Sequence, residues 1–209
     1  MLSSRDIELP LAGWTEIDPA EATHRWRNPA GDQFSLDFFA LAPDLPAPLE
    51  NIDPVRQLYR EMLGAVGGLV EVDTFMLAGT RAVRAIFKIP QNPTGMTYLG
   101  AVTIPFRDCS FVLKWQCPEH GPTGLRDSVV FAAISPPLDE TTGEPRGWAE
   151  DPYDPSHRAR GLRNRSDDPE WDAQFPAHPL SRLRSYLSAV GSIRFSRRVT
   201  QEPPFLGLG

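Results

Sequence analysis

Lysine is almost missing from this chain of 209 residues: of 21 basic residues only Lys88 and Lys114 are lysines, and the rest are arginines. With abundant alanine, proline and glycine, this is the usage of a GC-rich bacterial proteome. Basic residues are also outnumbered, 21 against 27 acidic, for a net charge of −6. A general nucleic-acid binder is therefore excluded, because neutralising phosphates takes a clustered excess of Lys and Arg. Long apolar runs are lacking too. The longest, Val129 to Ile134, falls far short of the roughly 18 apolar residues that a membrane span requires. The opening stretch MLSSRDIELP has neither a basic n-region nor an apolar h-region, so no signal peptide is expected and a cytoplasmic location follows.

Cysteine is scarce as well. Cys109 and Cys117 both fall in an alternating segment that reads as one strand. Eight strand residues separate them by about 26 Å, whereas a disulfide needs Cα atoms about 5–6 Å apart. Two free thiols suit a reducing compartment. Nucleophile-elbow and phosphate-loop motifs are missing. Gly64-Ala-Val-Gly67-Gly68 is glycine-rich but follows a helical pattern, so it reads as a helix end and not as a phosphate cradle.

What is present builds a core. The hydrophobic fraction is 41%, with 11 Phe and 5 Trp, and the length fits one domain or a small pair. Strands are predicted over Trp14 to Ile17, Thr23 to Asn28 and Gln33 to Leu41, the last with Phe34, Leu36 and Phe38 on one face. After a proline-stiffened connector, Asp53 is predicted to cap a helix. Its stripe is Val55, Leu58, Tyr59, Met62, Leu63 and Val66, and Gly67-Gly68 ends it. Four strands follow, Leu69 to Leu77, Thr80 to Ile89, Met96 to Ile104 and Cys109 to Cys117, with connections short enough to make neighbours antiparallel. A second helix, Thr123 to Ala133, is expected to turn Leu125, Val129, Ala132 and Ala133 inward. A third carries Leu180, Leu183, Leu187 and Val190, and Ser192 to Ser196 reads as a last short strand.

Between them, Ser135 to Pro179 is rich in proline and holds ten acidic residues and five arginines without periodicity. So long an irregular segment is normally a functional loop, a partner-binding excursion or disorder. The expected organisation is thus a single α+β domain over 1–209, an antiparallel sheet flanked by helices, with 135–179 as a long insertion.

Of the polar clusters, Cys117-Pro-Glu-His120 lacks the second Cys/His pair that zinc sites need and reads as a strand end. Asp151, Asp154, Asp167, Asp168, Glu170 and Asp172 lack calcium-loop spacing and read as solvated loop charge. Arg158, Arg160, Arg163 and Arg165 lie within eight residues and could meet an acidic partner, although internal pairing with the flanking carboxylates is favoured. Trp148, Tyr153, Trp171 and Phe175 either fold onto the domain or anchor a partner. These eight residues are the candidate partner-binding set. No catalytic, cofactor or metal residues are assigned.

The order of elements, with Leu9-Pro10 leading into Gly13-Trp14 and Leu77-Ala78-Gly79 before Arg81-Ala82, resembles the PsbP-like superfamily over roughly residues 9–134 and 180–196. That resemblance implies an α/β/α sandwich around a twisted antiparallel sheet and a non-catalytic adaptor, chaperone or assembly role, in a family that includes chaperones of bacterial secreted effectors. Residues 135–179 depart from its compact pattern. The leading expectation is a protein-binding module acting through the sheet face or the 135–179 segment, with another protein as partner and homo-oligomers possible. The alternatives are a small-ligand binder or enzyme with 135–179 as a lid over Tyr98, Arg84 and His120, and a structural subunit of a larger particle.

Overall fold

The protein is described by a computed structural model covering residues 2–19, 23–77 and 79–207. Ala78, in the quoted Leu77-Ala78-Gly79, lies outside the described residues. In chain order the elements are β1 (Ile7–Glu8), β2 (Thr15–Pro19), β3 (Thr23–Arg27), β4 (Gln33–Phe39), α1 (Asp53–Leu63), β5 (Gly68–Leu77) and β6 (Thr80–Pro90). They continue with β7 (Met96–Pro105), β8 (Ser110–Pro118), α2 (Leu125–Ile134), α3 (Pro179–Ser188) and β9 (Arg194–Phe195).

Seven strands form one sheet in the order β2-β3-β4-β8-β7-β6-β5, antiparallel throughout. Each hairpin places sequence neighbours side by side. The long connection from β4 to β5 carries α1 and lets β8 fill the centre against β4, with Leu36 opposite Leu113. The fold is therefore α+β, an antiparallel sheet with helices on its faces. The last strand does not join that sheet: β9 pairs with β1 in a separate two-stranded ribbon.

Side chains alternate between the two faces. On one face Leu36, Ile86, Val102, Phe111 and Leu113 are buried beneath α3, whose Leu180, Leu183 and Leu187 point at them. Phe34 stacks on Trp26 and Trp115 at ring separations of 5.1 and 4.7 Å. On the other face Leu69, Val72, Val83 and Ala85 meet Val55 of α1 and Leu45 and Leu49 of the connector.

Three local expectations change. Asp53 is the first helical residue and not the cap; its N–H is accepted by the Asn51 side chain. α1 ends at Gly64, which takes the positive φ of 57°, rather than at Gly67-Gly68. Gly68 instead allows close approach, because a Cβ there would lie 2.3 Å from the Gly161 carbonyl oxygen. The third change concerns α2, which is rotated. Arg126 and Val130 face inward, while Leu125 and Val129 are 57% and 45% exposed and Ala132 and Ala133 are exposed.

Candidate functional site

α1 covers only part of its face of the sheet. Its Val55 is fully buried over β5 and β6, yet Met62, two turns on, is 74% exposed. Beside it the sheet lies open, leaving a groove of about 1000 Å3. One wall is Leu58, Tyr59, Met62 and Leu63 of α1. The floor is Leu99, Ala101 and Thr103 of β7 with Val112 of β8, and the connector residues Leu41 and Pro43 close one end. Strand alternation explains the floor. Tyr98, Gly100 and Val102 point to the α3 face, so the residues between them point into the groove.

The groove changes character across its width. Next to α1 it is largely apolar, with Tyr59 edge-on to Phe87 at 5.3 Å, although Asp44 of the connector also lines it; burial, with the Asp44 carboxylate adding to it, pushes the Tyr59 phenol above its ordinary range. Farther out, over β8, β4 and β3, the lining is Lys114, Gln116, Gln33, Ser35 and Arg25. Here Asp37 is held by Lys114 at 3.2 Å and by the Thr23 hydroxyl at 2.9 Å.

The eight residues singled out from the sequence do not form one patch. Trp148 packs edge-on against Phe131 of α2 at 4.9 Å. Tyr153 lies beneath Arg56, 3.9 Å from guanidinium carbon to ring centre, and its hydroxyl accepts from Val72 N–H at 2.6 Å. Phe175 is half-buried beside Arg126, and Trp171 is half-buried with an indole N–H that has no partner among the described residues. Arg163 and Arg165 pair with Asp168 at 2.5 and 3.5 Å. Arg158 and Arg160 are exposed.

The acidic residues of this segment are not simply solvated charge, which corrects the sequence expectation for Asp151, Asp167 and Asp172 as well as for Asp168. Asp151 is buried and accepts from Arg60 and from two backbone N–H groups. Asp167 is buried between Lys88, at 2.8 Å, and Tyr98, at 2.7 Å. Asp172 accepts from Arg126, Ser181 and Arg184. Arg126, 1% exposed, also donates to the carbonyls of Ser166 and Asp168 at 2.6 and 3.1 Å. Glutamate adds another fastening: Glu119 accepts from Met96 N–H and Gly124 N–H and faces His178, whose ring caps α3 at Leu180 N–H.

Tyr98, Arg84 and His120 do not converge, so the pocket expected from them does not exist. Tyr98 is buried on Asp167, Arg84 faces Asp73 at the sheet edge, and His120 lies over Gly31 in the β3–β4 turn. Burial pushes the Cys117 thiol up and the Cys109 thiol to about 11, so neither is a thiolate at neutral pH. Among the described residues no group of three metal-capable side chains comes together, and no helix is long and apolar enough to cross a membrane.

No family model matches the chain, and no curated protein matches it. Among solved structures it is similar to the Ran-binding protein Mog1p of Saccharomyces cerevisiae, with 12% identity, 62% of this chain and 78% of that chain covered, and a TM-score of 0.40. It is similar to a protein of unknown function from Pseudomonas aeruginosa at 17% identity, with 62% and 99% covered and a TM-score of 0.37. A Bacteroides thetaiotaomicron structure follows at 10% identity and a TM-score of 0.35; 53% of this chain matches, spanning 37% of that one.

Proposed function

We propose that the protein is a non-catalytic protein-binding module, an adaptor, chaperone or assembly subunit, that receives its partner on the bare sheet face beside α1. The observation carrying this reading is the half-covered face. Met62 and Leu41 are 74% and 71% exposed at the rim of an apolar floor, where a monomer normally keeps such patches small. The PsbP-like resemblance agrees with such a role and remains part of the proposal. A lid role for 135–179 is less favoured, because none of that segment lines the groove among the described residues.

The test is site-specific photo-crosslinking in cells, with the reactive group at Gln116 in the groove or at Ser185 on the exposed side of α3. One protein should be captured from position 116 and not from position 185. Equal capture profiles from the two positions would remove the groove from consideration.

A further inference from the structure

α2 is turned inside out. Its one cation, Arg126, is 1% exposed, while Leu125 and Val129 are 57% and 45% exposed. At 3.6 residues per turn, Ser128, Ala132, Leu125, Val129 and Ala133 fill one arc of about 140°, and all five are exposed. No charged side chain falls within that arc. A surface helix normally turns a stripe of this width toward the core and its charges outward. Arg126 faces inward because acceptors wait for it there. Among the described residues the apolar stripe on the other side stays uncovered.

The groove beside α1 lacks what α2 offers. Strands lie about 4.8 Å apart and packed helices about 8–10 Å apart, so one helix covers about two strands. That is the width of the floor on β7 and β8. Along the strand, Leu99 to Thr103 extends about 13 Å; along α2, Leu125 to Ala133 extends about 12 Å. The polar side of the groove calls for no opposite charge. Lys114 is paired with Asp37, and Arg25 has a partner as well. Asp44, on the α1 side, is exposed at the rim and keeps its water. An uncharged stripe enters such a groove without stranding a charge of its own.

Resting on the groove reading above, we infer that the partner received there is a second copy of this chain, which inserts its α2. The helix is fastened to Ser181 of α3 and its Asp127 lies 3.9 Å from Lys88, so it sits on the α3 side of the sheet. The groove is on the α1 side. Each copy thus offers a helix on one face and a groove on the other. Such a contact is head-to-tail and repeats into a ring or an open chain instead of closing as a twofold dimer. A helix of 10 residues covers less than the ~800 Å2 per partner of a standard interface. The assembly should therefore form with rising concentration and dissolve on dilution.

The experiment places single cysteines in the full chain, Val129→Cys on the stripe and Ala101→Cys on the groove floor; the native Cys109 and Cys117 are buried. A short bismaleimide should join the two variants when they are mixed and join neither to itself. A chain carrying both changes should give a ladder of oligomers. In sedimentation the average mass of the unaltered chain should at least double between micromolar and near-millimolar concentration. It should stay at one copy in Ala132→Glu, a change at an exposed position, and in Ala101→Trp. Cross-linking of Val129→Cys to itself alone would make the stripe a twofold helix pair and overturn the inference. A chain that stays monomeric throughout, with no cross-link, would overturn it too. In either case the photo-crosslinking at Gln116 decides the groove reading separately. Capture of a different protein there keeps that reading, and equal capture at Ser185 removes it as well.

Discussion

Lys88 on β6 and Asp167 in the long insertion meet at 2.8 Å with both side chains essentially out of solvent, 1% and 0% exposed. The ammonium is one of two in the chain, and it fastens residues 79 positions apart. A pair so buried survives because Tyr98 and the Asn164 N–H also donate to the carboxylate, which offsets the loss of water.

Removing one partner leaves a buried charge without its counter-ion. Asp167→Ala should destabilise the fold by about 3–5 kcal/mol, measured by urea unfolding. Lys88→Met/Asp167→Leu should recover a large share of that loss. A loss below about 1 kcal/mol for Asp167→Ala would mean the pair is not part of the folding unit.

Arg126 organises the same region from α2. Arg126→Met keeps the stem and deletes four donor contacts, to Ser166, Asp168, Asp172 and Ser181. The expected loss is about 3 kcal/mol or more, given what unpaired buried acceptors cost. Protease cleavage should then begin within 135–179 before the sheet unfolds, and cleavage starting elsewhere would contradict this.

The edge strand β5 is blocked by side chains at Val72. The Tyr153 hydroxyl accepts from Val72 N–H, and the Arg56 guanidinium donates to Val72 O at 3.1 Å. These are the outward-facing groups that would otherwise template another strand. Tyr153→Phe should cost about 1 kcal/mol and raise concentration-dependent aggregation, read by light scattering. Unchanged scattering would show the edge to be protected elsewhere.

Groove and core residues on α1 should separate cleanly. Val55→Ala, at a fully buried position, should cost roughly 2 kcal/mol. Met62→Ser should stay within about 0.5 kcal/mol, as exposed positions do, while weakening partner binding. A stability loss at Met62 matching that at Val55 would mean the groove closes in solution.

Acid should unfasten the insertion. For Asp167 burial pushes the carboxyl up, but Lys88 and the bonds to its oxygens outweigh that and hold it below the ordinary range. Glu119 and Asp32 are likewise held low against burial, by His178 with two N–H groups and by Arg182 with Tyr186. A carboxyl depressed in the fold binds its proton more readily in the unfolded chain, so its contribution is full above the unfolded pKa of about 4. It is lost as pH falls through the folded value. Urea midpoints should therefore be level near neutrality and drop below pH about 4, less steeply in Asp32→Asn. A flat profile down to pH about 2 would contradict these shifts.

The strands β4 and β8 were legible in the sequence because alternation alone places Phe34, Leu36, Phe111 and Leu113 on one face. α1 was legible from its stripe, and α3 from Leu180, Leu183 and Leu187. Local pattern suffices wherever one side of an element meets apolar core. The inward side of α2 was not legible. Its residues are apolar almost all round, and what selects Arg126 for the interior is two carbonyls, a carboxylate and a hydroxyl some 40 to 55 positions away. The insertion 135–179 has no period because it is held by ion pairs, 3-10 turns and the Gly68–Gly161 contact. The groove was hidden for a related reason. Sequence shows which residues of α1 and β7 are apolar, and the hydrophobic effect favours burying them all. Only the width of one helix against seven strands decides which of them stay uncovered.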